Sequence, residues 1–268
     1  MTTSTSAKAD EGMFSVAGRQ IVVVGGTAGI GLAVATHLAK AGARVIITGR
    51  RDAAALAGSV GVGYVPMDVA DLSSVEQGFE AIGAQLDRLD CLVLNAGIDE
   101  AHGEIGRLDL GAFERILNVN TLGIVRALAC GVSLVPSGGS IVITSSPAGS
   151  ITAPGMAAYS ASKAALDMLV RTWALELGPR QIRVNAVLPG IIETEMAAGS
   201  TGELEVIRRV TANGMIRQAG DMGPVFQFLA SAASTPLTGS LVGAHDGIPA
   251  GYSAEAMGYL AAGAEAAE

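Results

Sequence analysis

Tyr159 and Lys163 stand four residues apart in a stretch with helical periodicity from about Ala158 to Leu177, so both side chains project from one face. A phenol ordinarily titrates near pH ~10, too high for easy proton exchange at neutral pH, and a neighbouring ammonium stabilises the phenolate and brings that value down. The pair is a candidate for acid–base work at an oxygen atom, with Lys163 as the activating cation. Ser146 follows an apolar run, Ser140 to Thr144, within Thr144-Ser145-Ser146-Pro147-Ala148-Gly149. A hydroxyl at the carboxyl end of a strand can hydrogen-bond a substrate oxygen as charge develops on it. Ser145 is its near competitor. Asn120 lies in a helical stretch, where its side chain competes with the backbone for hydrogen bonds, and a plain helix kink is the alternative use. His37, His102 and His245 are scattered without ligand spacing, so no metal is expected.

Elements must bring these residues together. Ile21 to Val24 runs into Gly25-Gly26-Thr27-Ala28-Gly29-Ile30-Gly31 and then a helix beginning Leu32-Ala33-Val34. Such a turn lets the backbone approach a pyrophosphate, whose charge is met by free N–H groups and the positive end of the helix dipole. Glycines also make plain turns, but after the first strand of a βαβ pattern they point to a dinucleotide. Further β-branched runs at Arg44 to Thr48, Gly63 to Met67, Cys91 to Leu94, Ser140 to Thr144 and Arg183 to Leu188 read as strands with helix-length segments between them. This alternation predicts a single-domain, Rossmann-like α/β fold: a doubly wound parallel sheet with helices on both faces. Ser73 with Glu76 reads as a capping box, and Asp109 as the cap of a helix through Phe113, Ile116 and Leu117. Residues 1–15 read as a flexible tail, 16–250 as the nucleotide-binding domain with a lid at about 193–220 containing a helical piece from Glu203 to Val210, and 251–268 as a second tail.

Composition narrows the partners. The 268 residues suit one large domain; half are hydrophobic and 16% charged. A net charge of -8, no run of Lys or Arg and 4% aromatic residues argue against nucleic acid and anionic membrane, leaving small molecules. Cys91 and Cys130 sit in apolar stretches, as small buried thiols do in a reducing cytoplasm. Met1 to Glu11 lack the apolar core of a signal peptide, and no stretch is read as approaching the roughly 18 apolar residues of a membrane span.

The glycine spacing Gly25-x-x-x-Gly29-x-Gly31 is followed in order by Asp68-Val69, Asn95-Ala96-Gly97, Asn118-Val119-Asn120, Ser146, Tyr159-x-x-x-Lys163, and Pro189-Gly190 with Thr194. From Val16 to Gly247 the chain thus resembles the short-chain dehydrogenase/reductase family, and Pro189 to Met196 resembles its bacterial 3-oxoacyl carrier-protein reductases. The resemblance implies a nicotinamide-dependent enzyme with the catalytic set Asn120, Ser146, Tyr159 and Lys163. It implies that Thr27 and Ile30 belong to the phosphate turn, that Asp68 and Val69 flank the adenine, that Asn95, Ala96 and Gly97 line the adenosine ribose side, and that Pro189, Ile192 and Thr194 border the nicotinamide. It also assigns Lys163 to the nicotinamide ribose and Asn120 to a water linking that lysine to solvent. Ser146, rather than Ser145, has the family's separation from Tyr159.

Two departures stand out. Val24 replaces the threonine usual before the first glycine, removing a hydroxyl that ties the turn to the strand ending in Asn95, and Asp246-Gly247-Ile248 replaces a common Asp-Gly-Gly. By family comparison Gly49 occupies the place of the acid that binds the ribose diol of NAD. Arg50 and Arg51 follow and can offer donors to a 2′-phosphate, which favours NADP(H) over NAD(H); as solvated helix-entry charges they would leave NAD open.

The expected pocket draws on Pro147 to Met156, Ile98 to His102, Ile191 and Met196, with Ser146, Tyr159, Ala148, Met156 and Met196 against the substrate. This mostly apolar set suits an uncharged ketone or secondary alcohol, although Arg208, Arg209 and Arg217 stand near enough to reach a carboxylate. The alternatives are an NAD-dependent alcohol or cyclic diol dehydrogenase and a catalytically silent dinucleotide sensor. The resemblance further implies a homodimer or homotetramer in which the Asn120 and Tyr159 helices pair, with Leu166, Leu169 and Trp173 available either for that contact or for the core.

Overall fold

Runs of Val, Ile and Leu too apolar for a solvated sheet face need cover on both sides, and the helices between them provide it. In the computed structural model, which describes residues 12–100, 103–193, 209–251, 253–254 and 256–258, the order is β1 (Gln20–Val24), α1 (Gly29–Lys40), β2 (Arg44–Gly49), α2 (Ala54–Val60), β3 (Gly63–Pro66), α3 (Leu72–Gly83), β4 (Cys91–Leu94), α4 (Leu110–Leu117), a π-helical turn (Asn118–Leu122), α5 (Gly123–Gly131), β5 (Ser140–Thr144), α6 (Ala157–Leu177), β6 (Arg183–Pro189), β7 (Ile192–Glu193), β8 (Arg217–Gln218), α7 (Gly223–Ala230) and β9 (Leu241–Ala244). Seven strands form one sheet in the order β3-β2-β1-β4-β5-β6-β9, each neighbouring pair parallel. The six strands expected from sequence are present. The seventh, β9, was not expected and extends the sheet beyond β6.

Alternate residues of each strand feed two cores. Val22 and Val24 with Leu92, Leu94, Ile141 and Ile143 pack on Phe79 and Ile82 of α3, Ile124 of α5 and Leu166 of α6. Ile21 and Val23 with Ile47, Val93 and Val142 pack on Val34 and Leu38 of α1 and Phe226 and Leu229 of α7. Leu166 is therefore core, and Leu169 and Trp173 pack against the same cluster.

Three further details correct the sequence reading. The cap of α3 is Asp71, whose side chain accepts from the Ser73 N–H at 2.9 Å, in place of a Ser73/Glu76 box; Asp109 caps α4 as expected, accepting from the Ala112 N–H at 3.1 Å. Leu110–Leu134 forms one helical run of 25 residues, long and apolar enough by composition to cross a membrane. Ile116, Ile124 and Leu128 are buried where the run packs on α3, α6 and β4, while Leu110 and Leu122 are exposed; one face of the run is that of a core helix. At the expected lid, Ile192–Glu193 pairs in parallel with Arg217–Gln218, closing the two ends of that segment against each other. Thr194, Met196, His102, Arg208 and most of the Glu203 to Val210 piece lie outside the described residues.

Candidate active site at the carboxyl ends of β1, β4 and β5

In the order β3-β2-β1-β4-β5 the chain changes direction between β1 and β4, and open α/β sheets bind ligands in the crevice outside such a point. The glycine turn opens there. Gly25 (φ 78°) and Gly29 (φ 51°) hold left-handed backbone, and a Cβ on Gly25 would stand 2.6 Å from the Ala96 Cα. A Cβ on Gly31 would run into the Gly25 carbonyl oxygen. No side chain caps α1 at Ala28, so the first-turn N–H groups of Gly29, Ile30 and Gly31 are offered to whatever anion enters. The hydroxyl lost at Val24 is compensated by Asn95: its amide donates to the Gly25 carbonyl at 2.9 Å, its Oδ1 accepts from Thr144 Oγ1 at 2.9 Å, and its backbone N–H donates to the Val24 carbonyl at 2.9 Å. One asparagine thus ties together the carboxyl ends of β1, β4 and β5.

Beside the turn lies a cavity of about 410 Å³ lined by Thr27, Ala28, Arg51, Asp52, Ala53, Ala55 and Leu56. Of the two arginines proposed from sequence, Arg51 borders it and Arg50 is exposed next to it. Thr27 fills the space an acid at position 49 would need, since a Cβ on Gly49 would lie 2.5 Å from the Thr27 methyl. The Tyr64 hydroxyl donates to the carbonyls of Gly49 (3.2 Å) and Arg51 (2.9 Å), fixing this bend. These features fit a dinucleotide: a backbone cradle too tight for side chains, free helix N–H groups and a cation at a cavity of matching position. Asp68 and Val69 stand just beyond β3. The Asp68 carboxylate accepts from the Ala70 N–H at 3.0 Å, and Val69 is buried against Gly123.

The four residues proposed for chemistry converge. Tyr159 and Lys163 lie on the same face of α6, with Lys163 Nζ 5.5 Å from the Tyr159 ring centre. Ser146, 9% exposed, opens the Pro147–Gly149 turn, accepts from the Ala148 N–H at 3.2 Å and stands beside the Tyr159 phenol, opposing the rise in its value. Lys163 is 4% exposed, and its ammonium donates to the Thr144 carbonyl at 3.1 Å. Asn120 sits in the π-helical turn and clamps Ile98: its Oδ1 accepts from the Ile98 N–H at 2.7 Å and its Nδ2 donates to the Ile98 carbonyl at 2.8 Å. It also donates to Ser162 Oγ at 3.2 Å. A Cβ on Gly97 would come within 3.5 Å of Asn120 Oδ1 and 3.7 Å of Lys163 Nζ, so the backbone there passes directly over both. Met156 is the residue before α6, and Ala148 is in the turn after Ser146. Pro189 ends β6 opposite Ala244, and Ile192 is buried.

The electrostatics differ from the sequence expectation. Burial pushes the Tyr159 phenol above its ordinary value, the neighbouring Ser146 opposes this, and the charge of Asp99 adds to it. Lys163 is itself pulled down to about 8, chiefly by burial, with the negative charges of Asp167 and Asp99 opposing. A desolvated lysine beside the ring is therefore not enough to acidify the phenol of the protein alone. Sequence reasoning missed Asp167, although its place four residues beyond Lys163 put it on the face already singled out. It also missed the Arg217 to Asp246 pair, whose closest contact is 2.7 Å. That pair takes up Arg217, one of the two described arginines considered for a carboxylate ligand, and it settles the Asp246-Gly247 loop, where both residues have positive φ.

The chain is similar to known proteins over most of its length. A family model described as enoyl-(acyl carrier protein) reductase matches residues 25–248. The chain is 34% identical over 242 residues to a 3-oxoacyl-[acyl-carrier-protein] reductase of Aquifex aeolicus, spanning 86% of this chain and 97% of the relative. It is 32% identical over 243 residues to short-chain dehydrogenase reductase 5 of Arabidopsis thaliana, spanning 86% and 94%. The solved Pseudomonas aeruginosa RhlG/NADP active-site complex matches with a TM-score of 0.83 at 27% identity, covering 88% of this chain and 98% of that one.

Proposed function

Because the chain belongs to the short-chain dehydrogenase/reductase family of oxidoreductases, we propose that it reduces an uncharged ketone to the secondary alcohol with NADPH, Tyr159 giving up the proton. The observation that carries this reading is the part-buried phenol of Tyr159, beside Ser146 and Lys163 and pushed by desolvation above its ordinary value, so that it keeps its proton. A group that holds its proton at neutral pH is poised as an acid, which is what a carbonyl oxygen needs as it becomes an alkoxide.

The dinucleotide, when bound, supplies the hydride that the carbonyl carbon accepts. The turn Gly25, Thr27, Gly29, Ile30 and Gly31 holds its phosphates, Asp68 and Val69 the adenine side, Asn95, Ala96 and Gly97 the adjoining ribose, and Pro189, Ile192 and Thr194 the nicotinamide side. Ser146 orients the substrate oxygen and donates to it. Lys163 places positive charge beside the phenol, so the phenolate left after proton transfer is stabilised and can be reprotonated. Asn120 holds Ile98, and through it the loop that covers Lys163. Ala148 and Met156 border the substrate; with Arg217 committed to Asp246, an uncharged ketone suits them better than a carboxylate.

Arg51 at the adenosine-side cavity, together with Gly49 filled over by Thr27, supports NADP(H), as does the likeness to a structure solved with NADP. Asp52 lines the same cavity and favours the second reading, alcohol oxidation with NAD, by offering an acceptor to a ribose diol. Steady-state assays of a panel of neutral ketones and secondary alcohols with each cofactor separate the two. The same panel with Tyr159→Phe tests the first: turnover falls at least about 100-fold while nucleotide binding persists, and an unchanged rate would sink it. As in the sequence reading, we place the enzyme in the cytoplasm, in keeping with two free cysteines, and as a homodimer or homotetramer. Exposed Leu110 and Leu122 with Met168 and Leu175 on α6 supply apolar surface for assembly, and light scattering reads the mass.

A further inference from the structure

Tyr159, Lys163 and Asp167 occupy successive four-residue steps on one face of α6, yet the proton chemistry above uses only the first two. Asp167 is 6% exposed, a depth at which a carboxylate needs partners. Its Oδ1 accepts a 2.5 Å hydrogen bond from Ser145 Oγ. Its Oδ2 lies under Gly149, where a Cβ would stand 2.6 Å away, so the turn after Ser146 seals the carboxylate from water. Ser145 and Ser146 are chain neighbours and serve opposite ends of one array: Ser146 faces the phenol, and Ser145 faces the carboxylate, with its Oγ also 3.5 Å from the Lys163 carbonyl.

Lys163 sits between them. Its ammonium donates to one neutral acceptor, the Thr144 carbonyl, and burial alone would drive so desolvated a cation toward its neutral form. Asp167 is the larger of the two negative charges opposing that; Asp99, from the loop after β4, is the other. Burial pushes the Asp167 carboxyl above its ordinary value, and the Ser145 hydrogen bond, Arg171 and Lys163 oppose that rise and favour the carboxylate. The other charged groups on elements packed against α6 look elsewhere: Arg183 of β6 donates to Leu229, Ser231 and Ser234 on the far side of the sheet, Arg180 of the turn after α6 donates to the Val132 and Val135 carbonyls, Arg115 of α4 pairs with Glu100 near the surface, and Glu114 is exposed.

We propose that Asp167, fixed by Ser145, is a positioning residue for the reaction: a buried counter-charge that keeps Lys163 an ammonium aimed at Thr144 and the Tyr159 ring. The assignment rests on the oxidoreductase reading of the same site. Without the carboxylate, Lys163 loses its proton at lower pH, and the stabilisation it gives the phenolate disappears with it.

Asp167→Asn keeps the shape and removes the charge. Two quantities are measured: the titration of the Lys163 side chain by NMR in nucleotide-free protein labelled at lysine, and the pH profile of kcat/KM for ketone reduction. The expected result is that both the lysine midpoint and the alkaline limb move down by about one pH unit, the low end of what a nearby opposite charge produces. Ser145→Ala moves both the same way by less, because the carboxylate then holds its charge less firmly, and Ser145→Thr restores them. Superimposable titrations and limbs, or a loss of rate equal at every pH, would overturn the proposal. Should Asp167→Asn fail to fold, an unmoved midpoint in Ser145→Ala overturns it alone. Failure of the underlying reading looks different: wild-type protein that oxidises no nucleotide with any ketone, or Tyr159→Phe that keeps its rate, while the lysine titration still reports on Asp167.

Discussion

A phenol kept protonated by burial makes the two directions of the reaction respond oppositely to pH. Reduction needs Tyr159 as the phenol, and oxidation needs the phenolate. Since burial and Asp99 raise the phenol's value, kcat/KM for alcohol oxidation should climb through the alkaline range, while ketone reduction should be level near neutrality and fall once Lys163, pulled down to about 8, gives up its proton. Paired pH profiles of the two directions check this, and an oxidation limb already complete below pH ~7 would contradict it. Arg51→Ala should raise KM for NADPH about 10-fold or more and leave KM for NADH within about twofold, because a charge-assisted contact to a phosphate is worth about 1.5–3 kcal/mol. Parallel KM measurements decide, and equal effects on both cofactors would return the choice to Asp52. At Asp246 the sign is the reverse of Tyr159: Arg217 holds its carboxyl below the usual range. The pair therefore stabilises the loop fully above the unfolded value near ~4 and is lost as pH falls through the folded one. Acid melting curves of wild type and Arg217→Gln should converge below that window.

Single elements show what was legible in the sequence and what was not. β1, β4 and β5 were legible because they are buried almost throughout and read as apolar runs, Ile21 to Val24 being the plainest, whereas the edge strand β3 is mostly part-buried and was read from its β-branched and aromatic residues. β9 was not, because it sits at the sheet edge, is only half-buried, and carries Gly243 in its middle. The cap of α3 was misread by two residues: Asp71 and Ser73 are both good caps, and only the backbone decides which is extended. The π-helical turn has no signature in composition, since an extra backbone step costs the same letters as a regular one; it shows only in Asn120 reaching Ile98. The site followed the same division. Its local spacings, Tyr159 with Lys163 and the glycine turn, were readable, while the long-range ties Asn95 to Thr144 and Ser145 to Asp167 depended on the fold. A sequence-legible cap gives the element-scale prediction: Asp109→Ala should lower stability by about 1 kcal/mol, read from urea midpoints at constant m. A loss no larger than that of a surface control would show α4 held by packing alone.

The whole molecule is a sheet with separate cores on its two faces, and only one of them touches α6. Phe226, fully buried in the core under α1 and α7, lies on the face away from Tyr159. Phe226→Ala should cost about 3–5 kcal/mol, visible as a lower Tm, while kcat/KM well below the melting range stays within about twofold. A large loss of rate at that temperature would mean that the two cores are not independent. Order of synthesis matters at this scale too. β9 pairs with β6, and Gly190, at the edge of the reaction crevice, donates its N–H to the Ala244 carbonyl at 2.9 Å. A chain still being translated presents β6 with a bare edge until residue 244 has left the ribosome, an unpaired strand of the kind that invites intermolecular pairing. Competence thus waits on β9, and a message that stops short of it yields a product that is prone to aggregate and unable to complete its own crevice.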